Sequence, residues 1–227
     1  MTSPLRLGIA GLGTVGAGVV KIIRAEAELL AARAGRPVTI SAVSARARDK
    51  DRSVPLKDYV WEDDPVALAK RDDVDVFVEL MGGSDGPAKA ATEAALAAGK
   101  DVVTANKAML ALHGQAEAAD RVERFEAAVA GGIPVVKSLT EGLAGNNMTR
   151  VMGVMNGTCN YILTRMENAG LPYTEVFEEA NKLGYLEADP TLDVGGIDAG
   201  HKLALLASIA FGTKVNFGAM QLEGIER

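Results

Sequence analysis

Asp198 and Lys202 stand four residues apart at the head of an apolar helical segment, Leu203 to Phe211. That spacing puts both side chains on one helix face, where they can touch. A carboxylate beside an ammonium favours the charged form of both, so Lys202 would remain a proton donor at neutral pH. Glu187, Asp189 and Asp193 precede the pair on a loop where Pro190 fixes an extended turn and Gly195 and Gly196 let the backbone fold tightly. Such a loop can present carboxylates to a small cationic substrate. Spacing alone leaves a plainer reading equally open, an acidic loop followed by an ordinary Asp–Lys helix pair worth about 0.2–0.5 kcal/mol.

A second constellation lies near the start of the chain. Leu5 to Ala10 reads as a short buried strand, and Gly11, Leu12, Gly13, Thr14, Val15 and Gly16 follow it at once, opening a helix predicted from Thr14 to Arg33. In that setting three glycines at this spacing point to dinucleotide binding, one for the turn, one for close approach of the pyrophosphate and one for packing helix on strand, although a plain glycine-rich strand-to-helix turn would carry the same pattern. The phosphates would sit on the free N–H groups of the helix N-terminus. A second strand, Val38 to Val43, should end near the adenosine ribose. An acid there would hold both ribose hydroxyls, whereas Ser44, Arg46 and Arg48 precede the first acid, Asp49. Arginines in that place favour NADP(H) over NAD(H), although two arginines on a solvated loop would look the same.

The elements that must position these groups follow a strand-helix rhythm. Asp75 to Glu79 leads into a helix from Gly86 to Ala98, and Asp101 to Thr104 into another. Right-handed crossovers between parallel strands are expected. The predicted fold is therefore α/β, a Rossmann-type doubly wound parallel sheet over residues 1–136. Met81 to Gly86 and then Thr104 to Lys107 occupy successive carboxyl-end rims, where such sheets bind ligands. Lys107 opposes the dipole at a helix start, which favours function over a random surface charge. Gln115 to Ala130 reads as a helix closed by Gly131 and Gly132, with Ile133 to Val136 returning to extended chain. From Lys137 the composition shifts to Asn, Met and Thr. Thr149 to Met155 alternates weakly, as a strand of a second sheet would, and Asn156 or Thr158 can cap the helix that follows. Residues 137–227 are accordingly expected to form a smaller α+β domain for substrate binding and dimerisation.

Composition narrows the function. With 48% hydrophobic residues, 227 residues can bury a sizeable core. The net charge of −6, without a basic block, argues against nucleic acid and anionic membrane as partners and for a small metabolite. Cys159 is the only cysteine, so no internal disulfide can form and a reducing cytoplasm fits. Glycines interrupt the apolar N-terminus, which does not read as a signal peptide, and the Leu203–Phe211 run is far shorter than the ~18 residues of a membrane span. His113 and His201 are most simply structural.

The run from Ala188 to Lys202, with Asp189, Pro190, Asp193, Gly196, Asp198 and Lys202 at its fixed positions, resembles the signature of the homoserine dehydrogenases. These enzymes interconvert L-homoserine and L-aspartate 4-semialdehyde with a nicotinamide cofactor. The resemblance implies that Lys202 is the acid/base with Asp198 its neighbour, that Lys107 also serves catalysis, and that Glu187, Asp193, Gly157, Thr158 and Tyr185 meet substrate. It implies further that Thr104, Lys107 and Gly184 border the cofactor, joining Gly11, Leu12, Gly13, Thr14, Val15, Gly16 and Arg46. A structural monovalent cation such as Na+ would be held by Glu126, Val129, Gly131 and Ile133, and the protein would be a cytoplasmic homodimer serving threonine, methionine and isoleucine biosynthesis. Two positions depart from the family's form, Gly195 where an acid is common and Gly200 where Ala is. Gly200 in a helix interior should cost about 1 kcal/mol relative to Ala. The resemblance runs from Leu5 to about Gly224, and the family's catalytic unit is longer, so a chain lacking the end of that unit and any threonine-sensing domain is expected. Two other readings are an aldehyde dehydrogenase using Cys159 as nucleophile and a dinucleotide-binding interaction module without turnover.

Overall fold

The computed structural model describes residues 2–114, 123–186 and 190–226. The chain divides into two compact units, Met1–Ala128 and Val129–Arg227.

In the first unit, β1 (Leu5–Ala10) runs into α1 (Thr14–Ala25), α2 (Ala27–Ala34) and β2 (Val38–Ser44). Then come β3 (Val60–Trp61), α3 (Pro65–Lys70), β4 (Val76–Glu79), α4 (Pro87–Ala97), β5 (Asp101–Thr104), α5 (Lys107–His113) and β6 (Glu123–Arg124). The strands form one sheet in the order β3-β2-β1-β4-β5-β6, every pair parallel. This is the doubly wound order, with its switch point between β1 and β4.

Alternation along β1 explains why the sheet is covered on both faces. Leu7 and Ile9 join Leu12, Val20, Ile40, Val43 and Val78 in one core cluster. Ala10 belongs to the other, with Phe77, Leu68, Ala91, Ala95 and Val102 from the α3 and α4 side. Asp64 starts α3 by accepting from the Val66 N–H at 2.9 Å ahead of Pro65 at the first helical position. The predicted Thr14 to Arg33 helix is two helices, broken at Glu26, whose φ of −109° and ψ of 26° leave the helical region.

The predicted helix from Gln115 to Ala130 falls partly outside the described residues. Its remainder is β6, paired with β5, followed by α6 (Glu126–Ala130). Beyond it Ile133 to Val136 is not extended: α7 (Val135–Lys137) passes into a single π-helical stretch, Ser138–Gly142. The second unit continues with α8 (Gly157–Ala169), α9 (Tyr173–Lys182), α10 (Thr191–Val194) and α11 (Ile197–Phe211). Ile162, Val176, Ala180 and Val194 form its core, flanked by Phe177, Leu186 and Ile225. The strand expected at Thr149 to Met155 is not formed among the described residues, and Met152 and Val154 stand 77% and 78% exposed. A strand is defined by a hydrogen-bonded neighbour, and none of the described residues supplies one here. No helix among the described residues is long and apolar enough to cross a membrane.

Candidate active site

In the first unit the turn after β1 is shaped by two steric demands. Gly11 has φ +97°, and a side chain on it would overlap the Leu80 carbonyl at the end of β4, so the two rim loops touch only because Gly11 has none. A side chain on Gly16 would strike the Gly11 carbonyl. Gly13 differs: nothing lies within 4 Å of the position a side chain would take. The protein itself therefore does not require glycine there, whereas a ligand approaching that space would. Gly13 provides no side-chain cap to α1, and the first turn contains no acid. Thr14 and Val15 are exposed while Gly16 is buried, so the helix start presents N–H groups outward with its dipole uncompensated. These features fit the pyrophosphate of a dinucleotide.

Arg52, which the sequence reading passed over, braces this turn. Its Nε donates to the Leu12 carbonyl at 3.1 Å and its Nη1 to that of Lys50 at 2.8 Å, and its guanidinium lies 5.5 Å from the Trp61 ring centroid. Arg48 lies 5.8 Å from the same ring, and Arg46 is exposed just past the end of β2.

The next rim is organised by Glu79, which is fully buried. Its Oε1 accepts from the Met81 and Gly82 N–H groups at 2.7 and 3.3 Å, and its Oε2 accepts from the Thr104 hydroxyl at 2.6 Å. Thr104 Oγ1 in turn accepts from the Asn106 N–H at 3.0 Å, and Asn106 donates to the Gly83 carbonyl at 2.6 Å while capping α5 through Met109. Thr104 is thus turned inward, and its hydroxyl is engaged in fixing the rim. Lys107, the first residue of α5, is half-buried beside it. Sequence had marked Thr104 and Lys107; the buried acid that ties Thr104 to the Met81 loop gave no signal beyond an acidic residue ending an apolar strand.

The second unit carries the other group. Lys202 Nζ donates to Asp198 Oδ2 at 2.7 Å and to the Met155 carbonyl at 2.8 Å. Both side chains are largely removed from solvent, at 21% and 9% exposure, unlike a surface i,i+4 pair. The Asp198–Lys202 contact is the one the spacing predicted; Asn156 Nδ2 donates to Asp198 Oδ2 at 3.0 Å and to Asp193 Oδ1 at 2.7 Å, so the structure brings Asp193 to the pair as well. Gly157 opens α8 with free space about its Cα. Thr158 donates to the Tyr185 carbonyl at 3.0 Å, and the half-exposed Tyr185 ring packs edge-on to Tyr161 at 4.9 Å. Gly184, with φ +75°, turns the chain out of α9 into that loop. Glu187 and Asp189 lie outside the described residues.

Gly196, at φ +80°, joins α10 to α11. Gly200 has a steric reason beyond rigidity, since a β-carbon there would come within 2.8 Å of Leu222 and 3.1 Å of Phe217. Cys159 donates through Sγ to the Asp193 carbonyl at 3.2 Å. Burial pushes its thiol pKa up, and Asp193 and Asp198 push it further. That is the wrong direction for a nucleophile. His113 pairs with Asp85 at 2.9 Å and His201 stacks on Phe217 at 4.5 Å, as structural histidines do.

Comparison with known proteins decides the family. Residues 11–130 match the family described as homoserine dehydrogenase, NAD binding domain, and residues 134–227 match homoserine dehydrogenase. The chain belongs to the homoserine dehydrogenase family. The homoserine dehydrogenases of Neisseria gonorrhoeae and Mycobacterium tuberculosis are 46% and 47% identical to it over 99% of the chain, which covers 52% and 51% of their lengths. A crystal structure of a homoserine dehydrogenase from Thiobacillus denitrificans superposes with a TM-score of 0.92 at 41% identity, covering 99% of this chain and 53% of that one. A hyperthermophilic archaeal homoserine dehydrogenase in complex with NADPH gives 0.78 at 26% identity, covering 96% and 75%. The chain thus spans about half the length of the curated relatives it matches. Its residues 11–130 match the family's NAD-binding domain, and its parallel sheet flanked by helices is the architecture predicted from the strand-helix rhythm.

Proposed function

We propose that this chain carries the chemistry of an oxidoreductase interconverting L-homoserine and L-aspartate 4-semialdehyde, with NADP(H) preferred to NAD(H). The observation that carries the reading is the ammonium of Lys202, held by Asp198 and the Met155 carbonyl. Those bonds engage two of its three donors, and the third is assigned to the substrate oxygen. Lys202 donates a proton to that oxygen as the aldehyde is reduced and accepts it back in oxidation, with Asp198 fixing where the amine points. Asp193 and Glu187 supply negative charge for the substrate ammonium, and Gly157, Thr158 and Tyr185 border it. A bound nicotinamide dinucleotide supplies the hydride chemistry. The turn from Gly11 to Gly16 receives its pyrophosphate, Arg46 answers a 2′-phosphate, and the Glu79-braced rim bearing Thr104 and Lys107 borders the rest; Gly184 is assigned to the cofactor from the family resemblance alone.

A monovalent cation such as Na+ belongs to the same reading. Among the described residues no cluster of three His, Cys, Asp or Glu could hold a metal, and the site assigned from the resemblance draws on one carboxylate, Glu126, with backbone carbonyls. Glu126 Oε1 is buried without a hydrogen-bond partner, a state a cation would relieve. Dimerisation, a cytoplasmic location and a place in amino-acid biosynthesis are parts of the proposal drawn from the family.

NADPH oxidation by the purified chain, with and without aspartate 4-semialdehyde, tests it. Aldehyde-dependent oxidation that is lost in Lys202→Ala supports the reading; unchanged turnover in that variant refutes the role given to Lys202.

A further inference from the structure

We infer that Asn156 is a positioning residue for the acid/base, a neutral bridge that donates to both Asp193 and Asp198 and fixes the carboxylate on which Lys202 rests. The inference deepens the reading of Lys202 given above and rests on it.

Asn156 is 9% exposed and every polar atom of its side chain is engaged. Oδ1 accepts from the Cys159 N–H at 2.8 Å, capping α8. The two hydrogens of Nδ2 go to different acids, Asp193 Oδ1 at 2.7 Å and Asp198 Oδ2 at 3.0 Å. The amide orientation is dictated by chemistry, because turning it over would face an oxygen to two carboxylates. Asp198 Oδ2 also receives Lys202 Nζ at 2.7 Å, and Lys202 donates to the carbonyl of Met155, the residue next to Asn156. One oxygen therefore carries both the amide and the ammonium, and one stretch of backbone holds both anchors of Lys202.

Two partly desolvated carboxylates near one ammonium leave an excess of negative charge. Without a donor between them they would repel, and either could draw the lysine toward itself. The amide occupies one lobe of each acid and supplies no charge, so the lysine has a single seat. Among the described residues, the groups facing this cluster include Asp193 from α10, Asp198 and Lys202 from α11, and the Cys159 thiol from α8. Among common side chains asparagine alone caps and donates twice at this length. Aspartate has the same shape and caps as well, but it has no N–H and brings a third charge.

That difference supplies the test, with Asn156→Asp in the full chain and Asn156→Ser, a capping but neutral replacement, as the second variant should the first not fold. Homoserine oxidation is followed against pH, together with KM for NADP and the melting temperature. The expected result for Asn156→Asp is a kcat lower by about 10- to 100-fold, the range for losing a hydrogen bond to a charged group. KM for NADP should be unchanged, and the alkaline rise in rate should move about one pH unit or more upward because a further carboxylate faces the amine. Asn156→Ser should move the profile the same way by less. A residue that only capped α8 would alter melting temperature and leave kcat and the profile in place, and that outcome overturns the inference. If the chain shows no turnover, the pH dependence of Lys202 reductive methylation, read by ¹³C NMR, replaces the rate profile; an unmoved midpoint in both variants is then the overturning result. Should Lys202→Ala keep full turnover while Asn156→Asp still shifts methylation, the acid/base reading fails and the bridge stands. If Lys202→Ala is inactive and Asn156→Asp behaves as wild type, the bridge alone fails.

Discussion

Lys202 shows how much a four-residue spacing can carry and where it stops. A surface Asp–Lys pair at i,i+4 would change stability by under ~1 kcal/mol and turnover not at all. Here the pair is withdrawn from solvent and has a backbone carbonyl as a second anchor. Replacing Lys202 with Ala should lower turnover by about 10²–10⁴-fold, the usual worth of a positioned acid/base, with NADPH affinity retained; steady-state rates alongside cofactor titration check both halves of that statement. Cys159→Ser should keep near wild-type turnover, since burial and two carboxylates hold the thiol in its protonated form. Activity lost in that variant, with the fold intact, would revive the thiohemiacetal route. The Asp198–Lys202 contact was legible because it is local. Asn156 was legible only as a helix cap, because its other two partners lie 37 and 42 residues away and no periodicity links them. Glu79 was hidden for a similar reason: a buried acid is identified by the donors that converge on it, and those are two N–H groups of a turn and a hydroxyl from the next strand.

At the scale of elements, strands and crossovers were legible where apolar runs sit between turn residues, and the glycine fingerprint fixed the first rim because strand, turn and helix are consecutive. The break at Glu26 was not, since neither proline nor glycine marks it. Thr149 to Met155 failed for a different reason, as alternation reports a preference while a strand needs a partner. One contact between elements gives a pH-dependent prediction. Arg6 at the start of β1 grips Asp75 just before β4, its Nη2 and Nε donating to the two carboxylate oxygens at 2.7 and 3.1 Å. The Arg6 hydrogen bonds hold the Asp75 carboxyl below its usual 3.8, against the opposing effect of burial. A depressed folded value contributes stability above the unfolded value and loses it as pH falls through the folded one. Asp75→Asn should therefore be less stable than wild type at pH 7, and the gap should close below about pH 4. Urea denaturation of both proteins across that range measures it. A gap that stays constant would mean that the pairing has no linkage to folding.

At the scale of the molecule, the chain holds two units, each with its own core, and the two groups of chemistry are divided between them. The division permits a test of the cofactor site that does not depend on turnover. Trp61 is the only tryptophan, and it packs against the core cluster of the first unit. Its fluorescence reports the unfolding of the unit that holds the glycine turn. A ligand bound only by the folded state at a hundredfold excess over its Kd stabilises it by about 2.7 kcal/mol, so saturating NADPH should raise the Trp61 melting midpoint by several degrees. The fingerprint glycines then separate packing from binding. A side chain at Gly11 or Gly16 meets backbone atoms, so Gly11→Val and Gly16→Val should lower the midpoint even without ligand. At Gly13 the backbone has φ −74° and the space beyond is open. Gly13→Val should leave the unliganded midpoint near that of wild type and abolish the NADPH-dependent rise, because the valine fills room that only the pyrophosphate needs. A rise that persists in Gly13→Val would place the dinucleotide somewhere other than this turn.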